Sequence, residues 1–128
     1  MKRPSALCAL ALLLAGCVSD SGSPSTGLYE KGVFNSRNPG SPIPLERIKG
    51  LDETQLAALF GAGALDRKDE PARALRYQSD TCQLFVFLYR RDGTVWKVEY
   101  ADAYDLQLRP LPVAQCAGSV AAQKRPIA

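Results

Sequence analysis

Histidine is absent from this 128-residue chain, which also has only one methionine and one tryptophan. Histidine is the side chain used most often as a general base and as a metal ligand. Its absence therefore removes the commonest routes to acid–base catalysis and to metal binding. From the sequence we expect a protein without a metal and without a cofactor.

The chain also lacks a hydrophobic run long enough to cross a bilayer. Its N-terminal apolar segment, Ala6 to Ala15, covers only ten residues, whereas a transmembrane helix needs about 20. This segment follows the cationic stretch Met1-Lys2-Arg3. A short basic region followed by a short apolar core is typical of a secretory signal peptide, which we predict for residues 1–16.

The signal core ends in Leu14-Ala15-Gly16-Cys17, which resembles the lipobox of bacterial lipoproteins. The resemblance implies cleavage before Cys17 and attachment of diacylglycerol to its thiol, with acylation of the freed amine in many such proteins. Two or more acyl chains anchor a protein stably in a membrane. Val18 rather than aspartate follows the cysteine, which by resemblance to enterobacterial lipoproteins favours the periplasmic side of the outer membrane. The alternatives are an ordinary secretory signal with a free Cys17, or a signal anchor.

Neither sign of charge is in large excess. The chain has 16 Lys and Arg residues against 13 Asp and Glu, and Lys2 and Arg3 would leave with the signal peptide. The mature chain then carries a net charge of +1 and no obvious basic patch. This composition argues against nucleic acid as a partner.

Four cysteines are present, but their predicted roles differ. Cys8 would be discarded with the signal peptide and Cys17 would carry lipid, which leaves Cys82 and Cys116. In an oxidising compartment this even pair predicts a disulfide; the alternative is two buried free thiols. A zinc site would need two further ligands that neither histidine nor cysteine can supply, and the spacing is not the Cys-x-x-Cys of thiol redox catalysts.

The segment after Cys17 is rich in Ser, Gly, Pro and Asn as far as Pro44. Because it lacks helical or strand periodicity, we predict a lipidated flexible tether over residues 17–44. Gly27 to Phe34 interrupts it with apolar residues and is a candidate to dock on the domain. We predict a small domain over residues 45–119 and a C-terminal tail over residues 120–128.

A short helix is predicted to begin after Asp52. Asp52 can cap the helix with Gln55 as its capping-box partner, and Leu51 and Leu56 have the spacing of a hydrophobic staple. Leu56, Leu59 and Phe60 form one apolar stripe, and Gly61 and Gly63 then end the helix. The Asp66 to Pro71 segment is expected to be a loop or a frayed strand.

Three strands are predicted from β-forming composition and alternation, over residues 72–78, 82–90 and 94–101, with a hairpin turn at Arg91-Asp92-Gly93. Pro110 and Pro112 break the chain, and residues 113–123 could form a short helix carrying Cys116. The expected fold is α+β: a short N-terminal helix packed on a three-stranded antiparallel sheet, with a disulfide-tied C-terminal segment.

Two hairpin registers compete. A two-residue turn pairs Phe87 with Val98, whereas a three-residue turn pairs Leu88 with Trp96, Val86 with Val98 and Leu84 with Tyr100. We favour the second register because it builds a wholly apolar face with Cys82 at its end. It places the candidate partner face, Phe85, Phe87 and Tyr89, on the opposite side beside Lys97 and Glu99. Alternatively, the proline-rich tail or Gly27 to Phe34 covers these aromatic residues.

The Lys49 to Leu56 segment with Phe60-Gly61, followed by a strand ending in Tyr77, resembles the SmpA/OmlA-type domain. That domain belongs to small outer-membrane lipoproteins, including the accessory E subunit of the β-barrel assembly machinery. The chain departs from the pattern because no proline follows the helix and because Leu75 stands where tryptophan is usual. It is more similar to small lipoproteins of this shape with a Cys-x-Leu-x-x-Phe-Leu-Tyr strand, here Cys82 to Tyr89. The resemblance implies a fold and a compartment, and no binding residue is carried over.

Three functions are compared. The sequence favours a non-enzymatic accessory or scaffold lipoprotein that binds another envelope protein. An enzyme is disfavoured, because a Ser-Lys dyad would require Ser79 or Ser119, which are predicted to lie in a loop and near the tail. The remaining alternative is a small periplasmic binding or inhibitor module acting on a hydrolase or a cell-wall ligand, since a fold alone does not define a function.

Overall fold

The computed structural model describes residues 31–91 and 93–127; Cys17 and the predicted signal peptide lie outside them. The elements follow the order α1 (Leu45–Ile48), α2 (Glu53–Phe60), β1 (Leu65–Asp69), β2 (Ala72–Gln78), β3 (Cys82–Tyr89), β4 (Lys97–Asp105) and α3 (Val113–Ala122). Within the described ranges the strands form one antiparallel sheet in the order β1-β2-β3-β4. The α+β class is confirmed, but the sheet has four strands where three were predicted.

The additional strand is β1, which occupies most of the segment expected to be a loop or a frayed strand. It pairs with β2 from Leu65↔Arg76 to Asp69↔Ala72. All five of its residues are exposed, so it lacks the alternation of a half-buried strand. Charged side chains on an edge strand discourage pairing with other chains. The same charged composition is the reason that the strand was not predicted from the sequence.

The predicted capping box begins α2. The Asp52 carboxylate accepts a hydrogen bond from the Gln55 N–H at 2.9 Å, and Gln55 Oε1 accepts one from the Asp52 N–H at 3.0 Å. The helix ends at Gly61, whose φ of 73° lies in the region that glycine adopts without strain. Leu56 and Phe60 are buried, as the apolar stripe predicted.

The core lies between the sheet and the helices. Along β3 the side chains alternate strictly, and Cys82, Leu84, Val86 and Leu88 are fully buried. Helix α3 packs against β3 and β4. A disulfide joins Cys82 to Cys116, with 5.9 Å between their Cα atoms. The predicted disulfide and the predicted C-terminal helix are therefore confirmed.

The C-terminal residues continue to contact the domain beyond the predicted boundary at 119. That boundary falls inside α3, which extends to Ala122. Past the helix, Arg125 forms a bridge with Gly61, and its carbonyl accepts a hydrogen bond from the Ala62 N–H at 3.2 Å. The described part of the predicted tail is therefore packed against the end of α2.

The expectation of a flexible tether as far as residue 44 is wrong for residues 31–44, which lie along the domain. Ile43 is buried in the core, and its N–H donates to the Ala114 carbonyl at 3.0 Å. The Asp80 carboxylate accepts hydrogen bonds from the Ser36 hydroxyl at 2.7 Å and the Arg37 N–H at 2.8 Å. The composition predicted a flexible segment because this docking depends on one buried isoleucine and a few polar contacts. Such contacts leave no periodic pattern in the sequence.

Neither predicted hairpin register is observed. Leu88 pairs with Val98, and beyond a β-bulge Phe87 pairs with Tyr100. The favoured register placed Val98 correctly on the core face, where it is buried, but it placed Tyr100 there too, and Tyr100 is 49% exposed. After the bulge, Ala101 and Ala103 take the buried positions. Small side chains suit this part of the core because α3 packs against β4 there.

Trp96 was predicted to pair with Leu88 but instead precedes β4 in a longer connection. It is buried, and the Arg90 guanidinium lies 4.6 Å from the centre of its ring. This cation–π contact joins the two ends of the connection between β3 and β4.

Candidate binding face

One side of the sheet is not covered by the helices, and aromatic side chains dominate it. Strand β3 presents three of them at alternate positions. Each is partly buried, whereas the residues between them point to the core. Beyond the bulge, β4 adds two tyrosines to the same side. We call this surface the aromatic face; it consists of Phe85, Phe87, Tyr89, Tyr100 and Tyr104.

The rings of the aromatic face contact one another across β3 and β4. Phe87 stacks on Tyr100, with ring centroids 6.2 Å apart and planes inclined by 26°. Phe85 makes an edge-to-face contact with Tyr104 at 5.8 Å. Cross-strand aromatic pairs of these two kinds are favourable and restrict the movement of the rings. The paired rings therefore form a continuous aromatic surface across the two strands.

The tyrosine hydroxyls give the aromatic face a polar component. The Tyr100 hydroxyl donates a hydrogen bond to Asp102 Oδ1 at 3.0 Å. This bond and the nearby carboxylate charge raise the pKa of Tyr100 above its ordinary value. Tyr100 thus stays protonated at neutral pH, with its hydroxyl held in a fixed direction beside an acidic group.

A cleft of about 320 Å³ adjoins the face at the hairpin end, lined by Tyr89, Arg91, Val95, Lys97 and Glu99. The Arg91 guanidinium makes two bonds to the Glu99 carboxylate, including Nη2 to Oε2 at 2.7 Å, and lies 5.9 Å from the Tyr89 ring. Hydrogen bonding from Arg91 lowers the pKa of Glu99. The aromatic face therefore ends in a charged rim, an arrangement common at protein interfaces.

The three residues predicted as a partner face lie together in the aromatic face, beside Lys97, which pairs with Tyr89. Two segments were considered as covers. The described part of Gly27 to Phe34 contacts the other end of β4, where the Gly32 N–H donates to the Pro110 carbonyl at 2.9 Å. The chain after Pro110 and Pro112 forms α3. The disulfide between Cys116 and Cys82 holds this helix on the core side of β3, opposite the aromatic face.

Two members of this face, Tyr100 and Tyr104, were not predicted from the sequence. Tyr100 was assigned to the core because the bulge was not foreseen, and Tyr104 lies beyond the predicted end of the third strand. A signal for Tyr104 was present: small and polar residues alternate from Ala101 to Asp105, as expected of a strand with one buried side.

The two serines considered for a catalytic dyad are both buried beside the disulfide: Ser79 lies in the β2–β3 connection, as predicted, and Ser119 lies within α3 rather than in a tail. Ser119 is a fully buried residue of α3, and its Oγ lies 2.7 Å from Ser79 Oγ. Ser79 Oγ also accepts the Cys82 N–H at 3.2 Å. The hydroxyls satisfy each other inside the core and are shielded from solvent.

Over residues 31–91 and 93–127, no group of three or more His, Cys, Asp or Glu side chains is placed to hold a metal ion. No helix in that same part of the chain is long and apolar enough to cross a membrane. A scan against protein-family models and searches of curated proteins and of solved structures found no match to this chain.

Proposed function

We propose that this protein is a non-enzymatic lipoprotein, anchored through Cys17 to the periplasmic side of the outer membrane. It acts as an accessory or scaffold that binds another envelope protein through the aromatic face. The signal core and the Leu14 to Cys17 box support the anchor. The observation that carries the binding role is the row of partly exposed rings on the uncovered side of the sheet.

The chemistry of the aromatic face suits a protein partner. Tyrosine and phenylalanine bury a large area at a small cost in side-chain entropy, and aromatic residues are enriched at the centres of interfaces. Phe87 and Tyr100 lie at the middle of the face, while Arg91, Glu99 and Lys97 lie at its hairpin end. Aromatic rings interspersed with the charged side chains of Asp102 and Arg76, which pair with Phe85, favour a specific partner over general adhesion.

The proposal includes the resemblance to the SmpA/OmlA-type domain. Its support is the pattern around α2, where Gly50 precedes the capped helix and Gly61 ends it, followed by a strand that includes Tyr77. Because these features are structural, they support a fold and a compartment. The identity of the partner must come from experiment.

Palmitate labelling of cells tests the anchor. The wild-type chain should incorporate label and fractionate with outer membranes, whereas Cys17→Ser should do neither. Cys8→Ser, which removes another cysteine but leaves Cys17 and the disulfide intact, is the matched control and should retain the label. Label that persists on Cys17→Ser would contradict the proposed site of lipidation.

Chemical crosslinking and affinity purification from envelope membranes test the binding role. We expect an integral β-barrel protein or its assembly partner to co-purify with the wild type and to be lost from Phe87→Ala/Tyr100→Ala. Thr54→Ala on the exposed side of α2 is the control and should retain it. A soluble hydrolase as the main partner would instead support the alternative of an inhibitor module.

A further inference from the structure

A four-residue loop at the end of β4 exposes two leucines. Leu106 is 47% exposed and Leu108 is 63% exposed, and the loop ends at Arg109. Single exposed apolar residues are common on protein surfaces. Here two exposed leucines lie at one loop tip. The loop contributes no other side chain to the core, so packing within the domain does not explain them.

Leu108 occupies a backbone conformation that leucine rarely adopts. Its φ is 63°, in the left-handed region that is favourable for glycine and tolerated by asparagine. Packing within the domain does not compensate for this strain, because most of the side chain is exposed to solvent. A leucine here is better explained by a contact that lies outside the domain.

The loop is held rigidly by Asp105, which is buried at its base. Asp105 Oδ1 accepts the N–H groups of Gln107 and Arg109, both at 2.9 Å, and Oδ2 accepts Arg109 Nε at 2.7 Å. The Leu108 N–H donates to the Asp105 carbonyl at 3.0 Å. The two leucines are therefore presented by an ordered turn.

The N-terminal segment reaches the domain at this same end. Gly32 lies so close to the loop base that a Cβ there would come within 2.7 Å of Asp105 Oδ2. The next residue, Val33, is 68% exposed, and Lys31 before it is also exposed. Apolar side chains and a lysine thus lie at the end of the domain where the chain leading from Cys17 joins it.

We propose that the Leu106–Leu108 loop, together with Val33 and Lys31, is a membrane-contacting end of the domain that inserts into the lipid interface. The proposal rests on the proposed anchor at Cys17. The described chain begins at Lys31, beside this loop, so the stretch that carries Cys17 joins the domain at this end. Apolar side chains enter the interface between headgroups and acyl chains, and a lysine beside them keeps its ammonium in water or near anionic lipid.

This orientation has a consequence for the aromatic face. Strand β4 begins at Lys97 and ends at Asp105, so its other end lies about 25 Å away along the strand. With the loop on the bilayer, β3 and β4 extend away from the lipid. Tyr104, next to Asp105, then lies near the lipid. Phe87, Tyr89 and Tyr100 lie farther along the strands, where a neighbouring envelope protein can reach them.

Tryptophan fluorescence on vesicles tests the proposal. The mature chain from Cys17, with Cys82 and Cys116 oxidised, has a single free thiol that couples to a maleimide-bearing lipid. The vesicles are phosphatidylcholine with brominated acyl chains, with and without phosphatidylserine. Both reporters are introduced with Trp96→Phe, so that each variant has a single tryptophan. We expect the emission of Leu108→Trp to be quenched several-fold more than that of Val95→Trp, which places the reporter at an exposed position near the other end of β4.

Val33→Trp gives a second reporter at the loop end and is used if Leu108→Trp does not fold. Selective quenching at the loop end supports the membrane contact, and a stronger effect with phosphatidylserine that Lys31→Gln removes assigns part of it to Lys31. Equal quenching at both ends, or none at the loop end, would overturn it. Because the coupling supplies the anchor chemically, failure of palmitate labelling in cells would count against the proposed function and not against this contact.

Discussion

Phe87 and Tyr100 stack across β3 and β4 on the uncovered side of the sheet, with ring centroids 6.2 Å apart. On the opposite side the next pair, Leu88 and Val98, is buried. A β-bulge separates the two pairs. The bulge therefore decides which residues of β4 belong to the core and which belong to the aromatic face.

Alanine substitutions at neighbouring positions should distinguish the two sides of the sheet. Leu88→Ala removes a fully buried side chain and should lower the free energy of unfolding by about 2 to 5 kcal/mol. Phe87→Ala loses a cross-strand contact at a partly exposed position and should cost about 1 kcal/mol. Urea unfolding of both variants checks this. Equal losses would mean that the aromatic face is covered in solution.

Breaking the disulfide should destabilise the domain substantially. Cys82 and Cys116 are 34 residues apart, and a loop of that length predicts a loss of roughly 3 to 4 kcal/mol on the chain-entropy estimate. Urea unfolding of Cys82→Ala/Cys116→Ala should show it, with added reductant leaving the variant unchanged. A loss below about 1 kcal/mol would mean that the bond adds little to the packing.

The sequence was most informative where short local rules act. The Asp52 and Gln55 capping box, the glycine after α2 and the alternation of β3 each depend on neighbouring residues, and each predicted its element correctly. The disulfide followed from counting cysteines in a compartment inferred from the Leu14 to Cys17 box. The capping box and the alternation involve neighbouring residues, and the disulfide required only a count of cysteines, so the sequence alone revealed them.

Features that depend on tertiary packing were not predictable in the same way. The bulge beside Phe87 shifts Tyr100 outward and brings Ala101 to the buried side of β4, against which α3 packs. Strand β1 has no buried residue to reveal it, and Ile43 docks without a repeating pattern. The aromatic face was therefore predicted only for the strand whose alternation was unbroken.

Docking of residues 31–44 on α3 can be tested at Gly118. A Cβ at this position would lie 2.5 Å from the Ser41 carbonyl oxygen. Glycine to alanine within a helix otherwise gains about 1 kcal/mol, but overpacking here should produce a net loss of about 1 kcal/mol or more. Gly118→Ala should also expose residues 36–42 to protease.

Gln115→Ala, at an exposed position of the same helix, is the control and should change stability by less than about 0.5 kcal/mol. A stabilised Gly118→Ala variant, with unchanged protease resistance, would show that the N-terminal segment does not rest on α3 in solution.

The loop base should make stability sensitive to acid through Asp105. Burial raises the pKa of Asp105, but the hydrogen bonds and charge contributed by Arg109, with the Gln107 N–H, outweigh this and lower it below its ordinary value. A carboxylate with a lowered pKa in the folded state stabilises the fold above its unfolded pKa, and the contribution is lost as pH falls through the folded pKa. Asp105→Asn should therefore unfold at lower urea than the wild type at pH 7.

The difference between Asp105→Asn and the wild type should shrink as the pH is lowered below the ordinary range of aspartate. Urea midpoints measured from pH 7 downward follow this change. A difference that is independent of pH would indicate that the Asp105 charge does not contribute and that the asparagine disturbs only the packing of the loop.

Site-specific photocrosslinking in living cells tests most directly the claim that the aromatic face binds an envelope protein. A benzophenone amino acid replaces Tyr100 on the face, and, as the matched control, Thr54 on the exposed side of α2. We predict that Tyr100 yields a discrete crosslinked product containing an integral outer-membrane protein or its assembly partner, and that Thr54 yields none. Crosslinking at Thr54 with none at Tyr100 would contradict the account.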